Sequence, residues 1–191
     1  PAQAGADVPA SVTRHRGGSA ANTAAAVAHL GGRARFVGQV GADEIGERLL
    51  RDLRAIGVDC VGPRRGITGT VVVVVDPTGE RTMFSDPRAA ADLAVCDEQW
   101  LDGAAVLHVP YYSLARSAAP SVVRTLIDAA RHREILVSLD PASVTLVDQR
   151  FVDLVRSVKP DVVLCNAAEA AAIGVGDHGL EGAGLVVVKQ G

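Results

Sequence analysis

Short, continuously apolar runs alternate with amphipathic helical patterns along most of this chain, and few folds can accommodate that order. Val106 to Val109, Ile135 to Leu139, Val162 to Cys165 and Leu185 to Val188 read as short buried strands. Helical patterns at Ala115 to Arg131, Thr145 to Val158 and Ala167 to Ile173 lie between them. Upstream, Asn22 to Leu30 reads as a helix ended by Gly31-Gly32, and Arg35 to Val40 as a strand. Asp43 to Ile56 carries Ile45, Leu49, Leu50, Leu53 and Ile56 at helical spacing, and Gly57 stops it. Strands that recur with a helix between them pair in parallel and bury both faces. The expected fold class is therefore α/β, a parallel sheet flanked by helices on both faces.

Two segments stand outside the alternation. Thr70 to Val75 and Glu80 to Phe84 flank the turn residues Asp76-Pro77-Thr78-Gly79, which predicts a hairpin. Ser11 to Arg16 is polar, with Val12 alone strongly apolar, as suits a strand exposed on at least one face. The residues themselves leave open whether these segments form a separate layer or edge strands of the main sheet.

A chain of 191 residues holds one well-buried core, so residues 1–191 are expected to form a single domain. With 48% hydrophobic and 21% charged residues the composition is ordinary globular material. A net charge of −3 and 3% aromatic residues disfavour nucleic acid and membrane surfaces as partners. No apolar run approaches the roughly 20 residues of a membrane span, and no basic-then-apolar leader opens the sequence, so a cytoplasmic location is expected. Cys60, Cys96 and Cys165 are widely spaced and odd in number, which suggests neither disulfides nor a zinc site but buried thiols.

The chemistry is most legible in Gly17-Gly18-Ser19-Ala20-Ala21-Asn22, which runs straight into a small-residue helix. Paired glycines let backbone amides approach a ligand without obstruction, and an asparagine amide offers hydroxyl groups both a donor and an acceptor. Such a site suits a polyol. Arg14, His15 and Arg16 directly precede the glycines and fit either solvent or an anionic sugar. Tyr111, followed by Tyr112, and Asp140 each come just after a strand, at the C-terminal edge where open α/β sheets bind ligands. Asn166 and Glu169 open a helix after a strand, a spacing that also makes a capping box.

The diglycine, its small-residue tract with Asn22 and the closing Leu30-Gly31 together resemble the sugar-site signature of the ribokinase-like (PfkB) carbohydrate kinases. Phe36 to Gly46, a strand ending in G-x-D-x-x-G, is similar to that family's next segment. So are Gly57-Val58-Asp59, Thr68-Gly69-Thr70 before the hairpin, and Asn166-Ala167-Ala168-Glu169. The resemblance implies a β-strand lid, near 8–16 and 68–85, that covers the sugar, with a homodimer formed through the lid strands. It implies ATP-dependent phosphorylation of a hydroxymethyl group on a sugar or nucleoside, with Mg²⁺. Gly17, Gly18, Asn22 and Tyr111 would meet the substrate. Asn166, Glu169 and Gly191 would lie toward ATP, with Glu169 organising water around the metal ion. Ser19 stands where some ribose-binding members carry lysine, which puts ribose itself in doubt.

The family's second signature, D-T-x-G-A-G-D, which supplies the catalytic base, is absent from the 191 residues. Gly182-Ala183-Gly184 has its glycine spacing but runs into Leu185 and a strand. Gly174-Val175-Gly176-Asp177 brings Asp177 forward as a weak base candidate, without the preceding Asp-Thr and ahead of the strand it should follow. The expectation is a kinase incomplete at both ends. Two other classes stay open: a homologue that binds sugar or nucleoside without catalysis, and a Rossmann-type oxidoreductase using Gly174 to Gly179 as G-x-G-x-x-G.

Overall fold

Residues 7, 9, 11–76, 78–115 and 120–190 are described by a computed structural model. The chain begins its regular structure with α1 (Ser19–His29), β1 (Arg35–Val37), α2 (Glu44–Ala55) and β2 (Asp59–Val61). β1 and β2 pair in parallel, Phe36 opposite Cys60. Ala21, Ala24 and Ala25 on α1 are small enough to bring that helix close against Leu53 of α2 and Val58, with Phe36 and Cys60 packed beside them. Gly57, at φ +85°, turns the chain out of α2 into β2. β2 was not expected: it has three residues between glycines, and its first, Asp59, is charged.

β3 (Thr70–Val75) and β4 (Arg81–Asp86) form a separate antiparallel ribbon, as the hairpin reading expected. Every described residue of both strands is exposed. Ser11 to Arg16 does not join it. This segment has no strand pairing among the described residues, and Val12 stands in solvent, because a stretch with one apolar side chain has nothing to bury against the ribbon. Positions 8 and 10 of that expected strand lie outside the described residues.

β5 (Val106–Pro110), β6 (Leu136–Asp140), β7 (Val162–Asn166) and β8 (Leu185–Lys189) lie in sequence order in one parallel sheet. Between them come α3 (Tyr112–Ala115), α4 (Pro120–His132), α5 (Gln149–Val158) and α6 (Ala167–Ile173). Of the helix read over Ala115 to Arg131, residues 116–119 lie outside the described residues, and α4 carries Pro120 at its first described position, where a missing N–H costs nothing. α5 starts later than its apolar pattern because Asp148 caps it, accepting from the Arg150 amide at 2.9 Å.

Strand alternation sorts the layers. Val109, Val137, Leu139, Val163 and Cys165 face α4, α5 and α6, where Leu126, Ile127, Phe151, Leu154 and Ile173 complete the main core. Val37 joins this side while its neighbour Phe36 turns to α1 and α2, so helices lie on both faces of the strands. On the α1 side Val106, Leu136, Leu185 and Val187 stay largely exposed, so these strands are buried on one face and not continuously. Ile45 also stays outside the core, and of the three thiols Cys165 alone is buried while Cys96 is exposed. Burial pushes the Cys165 thiol pKa up.

The N-terminal edge of the sheet is fixed by Asp161, whose carboxylate accepts from the Val137 amide and from Arg131, each at 2.7 Å. Those contacts, the Val137 amide first, hold its pKa below the usual carboxylate range. Phe151 is fully buried and meets the Tyr111 ring edge-on, with centroids 5.0 Å apart. Phe151→Ala is expected to destabilise the fold by about 3–5 kcal/mol in urea unfolding monitored by circular dichroism.

Candidate active site

In a parallel sheet each helix that follows a strand begins at that strand's C-terminal end. This rule puts the first turn of α6 and the residues ending β5 to β8 on one rim, and the first turn of α2 at the C-terminal end of β1 in the separate β1–β2 pair. α1 packs on β1, runs directly into it and also meets β5, so its own first turn lies toward the C-terminal end of β1.

At the α1 end the rim is bare. Gly17 has no neighbouring atom within 4 Å of where a Cβ would stand. Gly18, at φ +99°, would meet only the Ala21 methyl at 3.7 Å. Packing therefore does not demand glycine at 17, and the space suits the close approach of a ligand. Gly18 caps α1 without a side chain, and no acidic residue occupies the first turn, so its amides carry uncompensated positive charge. Asn22 sits one turn in and is exposed, with its backbone N–H donating to the Gly18 carbonyl at 2.8 Å.

Asp43 ties α2 to the foot of the ribbon. One carboxylate oxygen accepts from the Gly46 amide at 2.8 Å and the Thr68 hydroxyl at 2.6 Å, and the other accepts from the Thr68 amide at 2.7 Å. The glycines of this motif are packing requirements. A Cβ on Gly41 would meet Thr68 N at 2.2 Å, and one on Gly69 would meet the Pro87 carbonyl at 2.4 Å. The G-x-D-x-x-G and T-G segments, distant in sequence, are thus two halves of one latch. The Thr68 hydroxyl first, then the Thr68 and Gly46 amides, hold the Asp43 carboxyl below its usual pKa.

At the β7 end, Asn166 and Glu169 form a reciprocal capping box: the Asn166 side chain accepts from the Glu169 amide at 2.8 Å, and Glu169 accepts from the Asn166 amide at 2.9 Å. Glu169 is buried, and one of its carboxylate oxygens, Oε2, is taken up by the Asn166 amide. Lys189, which closes β8 opposite Asn166, donates to Asp140 at 3.1 Å across the rim. Lys189 was not among the expected site residues, although a lysine ending an apolar strand was the available signal. Below the rim, His108 Nδ1 lies 3.1 Å from Ser138 Oγ, and burial lowers the histidine pKa.

Three sequence expectations need correction. Tyr111 is turned into the core against Phe151, because its strand alternation points it at the helices; only its amide reaches the rim, donating to the Asp140 carbonyl at 2.8 Å. Burial raises its pKa. Asp177 is not near the other candidates: α6 carries the chain back to the opposite edge of the sheet, where Asp177 is exposed in a tight turn between Gly176 and Gly179. The same turn follows a helix and not a strand, so Gly174 to Gly179 is not a dinucleotide cradle. Gly182 and Gly184 pack against Arg156 and Asp161 at that edge. Gly191 lies outside the described residues. Among the described residues no group of three or more His, Cys, Asp and Glu could hold a metal ion, and no helix is long and apolar enough to cross a membrane.

Residues 3–181 match the pfkB family carbohydrate kinase. A fructokinase of Salmonella typhimurium is 37% identical over 130 residues, covering 65% of this chain and 42% of its own length. An ATP-dependent ribose-1-phosphate kinase of Halopiger xanaduensis is 32% identical, covering 97% of this chain and 64% of its own. Among solved structures, a probable sugar kinase from Rhizobium etli is 30% identical with a TM-score of 0.76, over 84% of this chain and 51% of that one. The apo form of a Vibrio cholerae fructokinase is 29% identical with a TM-score of 0.71, over 92% and 66%. The chain thus spans between 42% and 66% of these relatives. It belongs to the pfkB family of carbohydrate kinases.

The latch sets a pH dependence. A depressed Asp43 pKa stabilises the fold above the unfolded carboxyl value, about 3.9, and that contribution is lost as pH falls through the lower folded value. Asp43→Ala is expected to speed hydrogen exchange at the Thr68 amide and through the ribbon at pH 7. The difference in melting temperature from wild type should narrow as pH drops below about 4; a pH-independent difference would count against the latch.

Proposed function

We propose that this pfkB-family chain belongs to an enzyme that transfers the γ-phosphate of ATP to a hydroxymethyl group of a sugar or nucleoside. Two features support the reading: an unobstructed diglycine mouth with an exposed asparagine at the start of α1, and the Asn166–Glu169 turn at the end of β7. Gly17 and Gly18 let the substrate approach the first-turn amides of α1, and the Asn22 amide holds its hydroxyls. The alignment of hydroxyl and phosphate, together with charge stabilisation, does most of the catalytic work in phosphoryl transfer.

The donor half fits ATP and Mg²⁺ in its chemistry. Lys189 brings a cation to the rim, and the Glu169 carboxylate is of the hard-oxygen type that suits a hydrated metal ion. ATP, when bound, supplies the phosphoryl group and Mg²⁺ offsets its charge. No aspartate here is assigned as base, since Asp177 lies at the wrong edge and the 191 residues hold no D-T-x-G-A-G-D.

The ribbon acts as a lid that keeps water from the transferring phosphate. It is apolar on both faces: Val71, Val73 and Met83 share one, Val72, Val74 and Phe84 the other. One face covers the sugar and the other packs on the ribbon of a second copy, which makes the working form a homodimer. Names among the relatives, fructokinase and ATP-dependent ribose-1-phosphate kinase, set the range of acceptors to try.

Calorimetric titration of the full chain with fructose, ribose, adenosine and ribose 1-phosphate, with thermal shifts for ATP and NAD, tests the reading. At least one acceptor is expected to bind, and Asn22→Ala to weaken it by about 1–3 kcal/mol through a lost hydroxyl contact. Stabilisation by NAD with no acceptor binding would overturn it.

A further inference from the structure

One ion pair differs in chemistry from the rest. Among the described residues every other pair uses an arginine, whereas Asp140 is held by Lys189, whose Nζ donates to Oδ2 at 3.1 Å. A guanidinium spends its rigid fork on a carboxylate, but an ammonium is a compact charge with three rotatable donors, and one bond to Asp140 leaves two to offer. The Lys189 side chain is 53% exposed, so those donors are open to a ligand, while that of Asp140 is 18% exposed.

The two residues are not on adjacent strands. β7 lies between β6 and β8, so the pair bridges two strand spacings of about 4.8 Å each. Val186 and Val188 pack into the main core, as do Val137 and Leu139, so Lys189 and Asp140 both stand on the other face of the sheet. The ammonium is thus drawn off the edge strand and across the end of β7, whose last residue is Asn166.

Asp140 is itself held on every side. Its Oδ1 accepts from the Ala142 amide at 2.6 Å, and its backbone carbonyl accepts from the Tyr111 amide at 2.8 Å. Ala142 makes its bond from φ +68°, a left-handed conformation that costs an alanine free energy. Backbone strain of this kind persists where the surroundings over-determine it, and it collects at ligand sites.

We propose that Asp140 is a positioning residue: it holds the Lys189 ammonium across the end of β7, where the two remaining donors recognise the terminal phosphate of a nucleoside triphosphate. This rests on the kinase reading and deepens it, because it assigns to these residues the preference for ATP over ADP.

The lysines of the chain are Lys159 and Lys189, and Lys159 caps the far end of α5 beside Asp161, which makes it an internal control. Reductive methylation with ¹³C-formaldehyde, followed by NMR of the full chain, reads both. The Lys189 resonance is expected to move in Asp140→Asn. In the wild type it is expected to move on titration with ATP, less with ADP and not with AMP, while Lys159 stays in place. By calorimetry the unmodified wild type is expected to bind ATP about fivefold more tightly than ADP, and Asp140→Asn and Lys189→Gln each to bring that ratio toward one. Were Asp140 only a competing negative charge, its removal would raise the ratio, because ATP carries the larger charge. Asparagine keeps an acceptor for the Ala142 amide, and the wild-type titrations stand whether or not the variants fold. A ratio that rises or stays unchanged in Asp140→Asn, or ATP that fails to bind or binds without moving the Lys189 resonance, overturns the proposal. The kinase reading falls with it only where no acceptor binds either.

Discussion

The carboxylate of Asp43 gathers the Gly46 amide, the Thr68 amide and the Thr68 hydroxyl, and through them joins a helix start to the foot of the exposed ribbon. Two strands with every residue exposed cannot hold a position of their own, because an isolated hairpin is marginal in water. What fixes the ribbon is its root, where Gly41, Gly46 and Gly69 allow backbones to approach too closely for any side chain. The proposed lid is thus rooted by the Asp43 carboxylate, by close backbone approach at three glycines and by the backbone bonds of Ala42 to Gly66 and Ala89 to Ile67, while its own surface remains free to contact a ligand or a second copy.

The rim beneath follows a different logic at each end. Near α1 the protein leaves polar capacity unused: bare amides and an exposed Asn22. Near α6 it satisfies its own groups, with Asn166 and Glu169 bonding one another and Lys189 held by Asp140. A pre-satisfied turn holds its shape without a ligand, whereas an unsatisfied mouth gains most when one arrives. That contrast is what a substrate that must be selected and a common phosphate donor would each require.

Much of the architecture was legible because each element had its own local signal. The apolar runs located β5 to β8, the helical spacing and Gly57 bounded α2, and the Asp76 to Gly79 turn marked the ribbon. The failures share a cause. β2 has too few residues for a pattern, and the polar stretch Ser11 to Arg16 has none, so both depend on tertiary partners. Tyr111 was misread because position at a strand end does not reveal which way a side chain turns. Asp177 was misread because a glycine-aspartate string carries no information on which edge of the sheet it occupies. The Asp43–Thr68 latch was hidden for a similar reason, its two halves belonging to separate motifs.

The central claim is that the α1 mouth and the ribbon close on a single ligand. Hydrogen exchange on the full chain, with and without a bound acceptor plus a non-hydrolysable ATP analogue, measures this directly. The account predicts joint protection of residues 17–22 and of the ribbon strands 70–75 and 81–86. Protection confined to the opposite edge, around residues 174–184, with the mouth and ribbon unchanged, would contradict it.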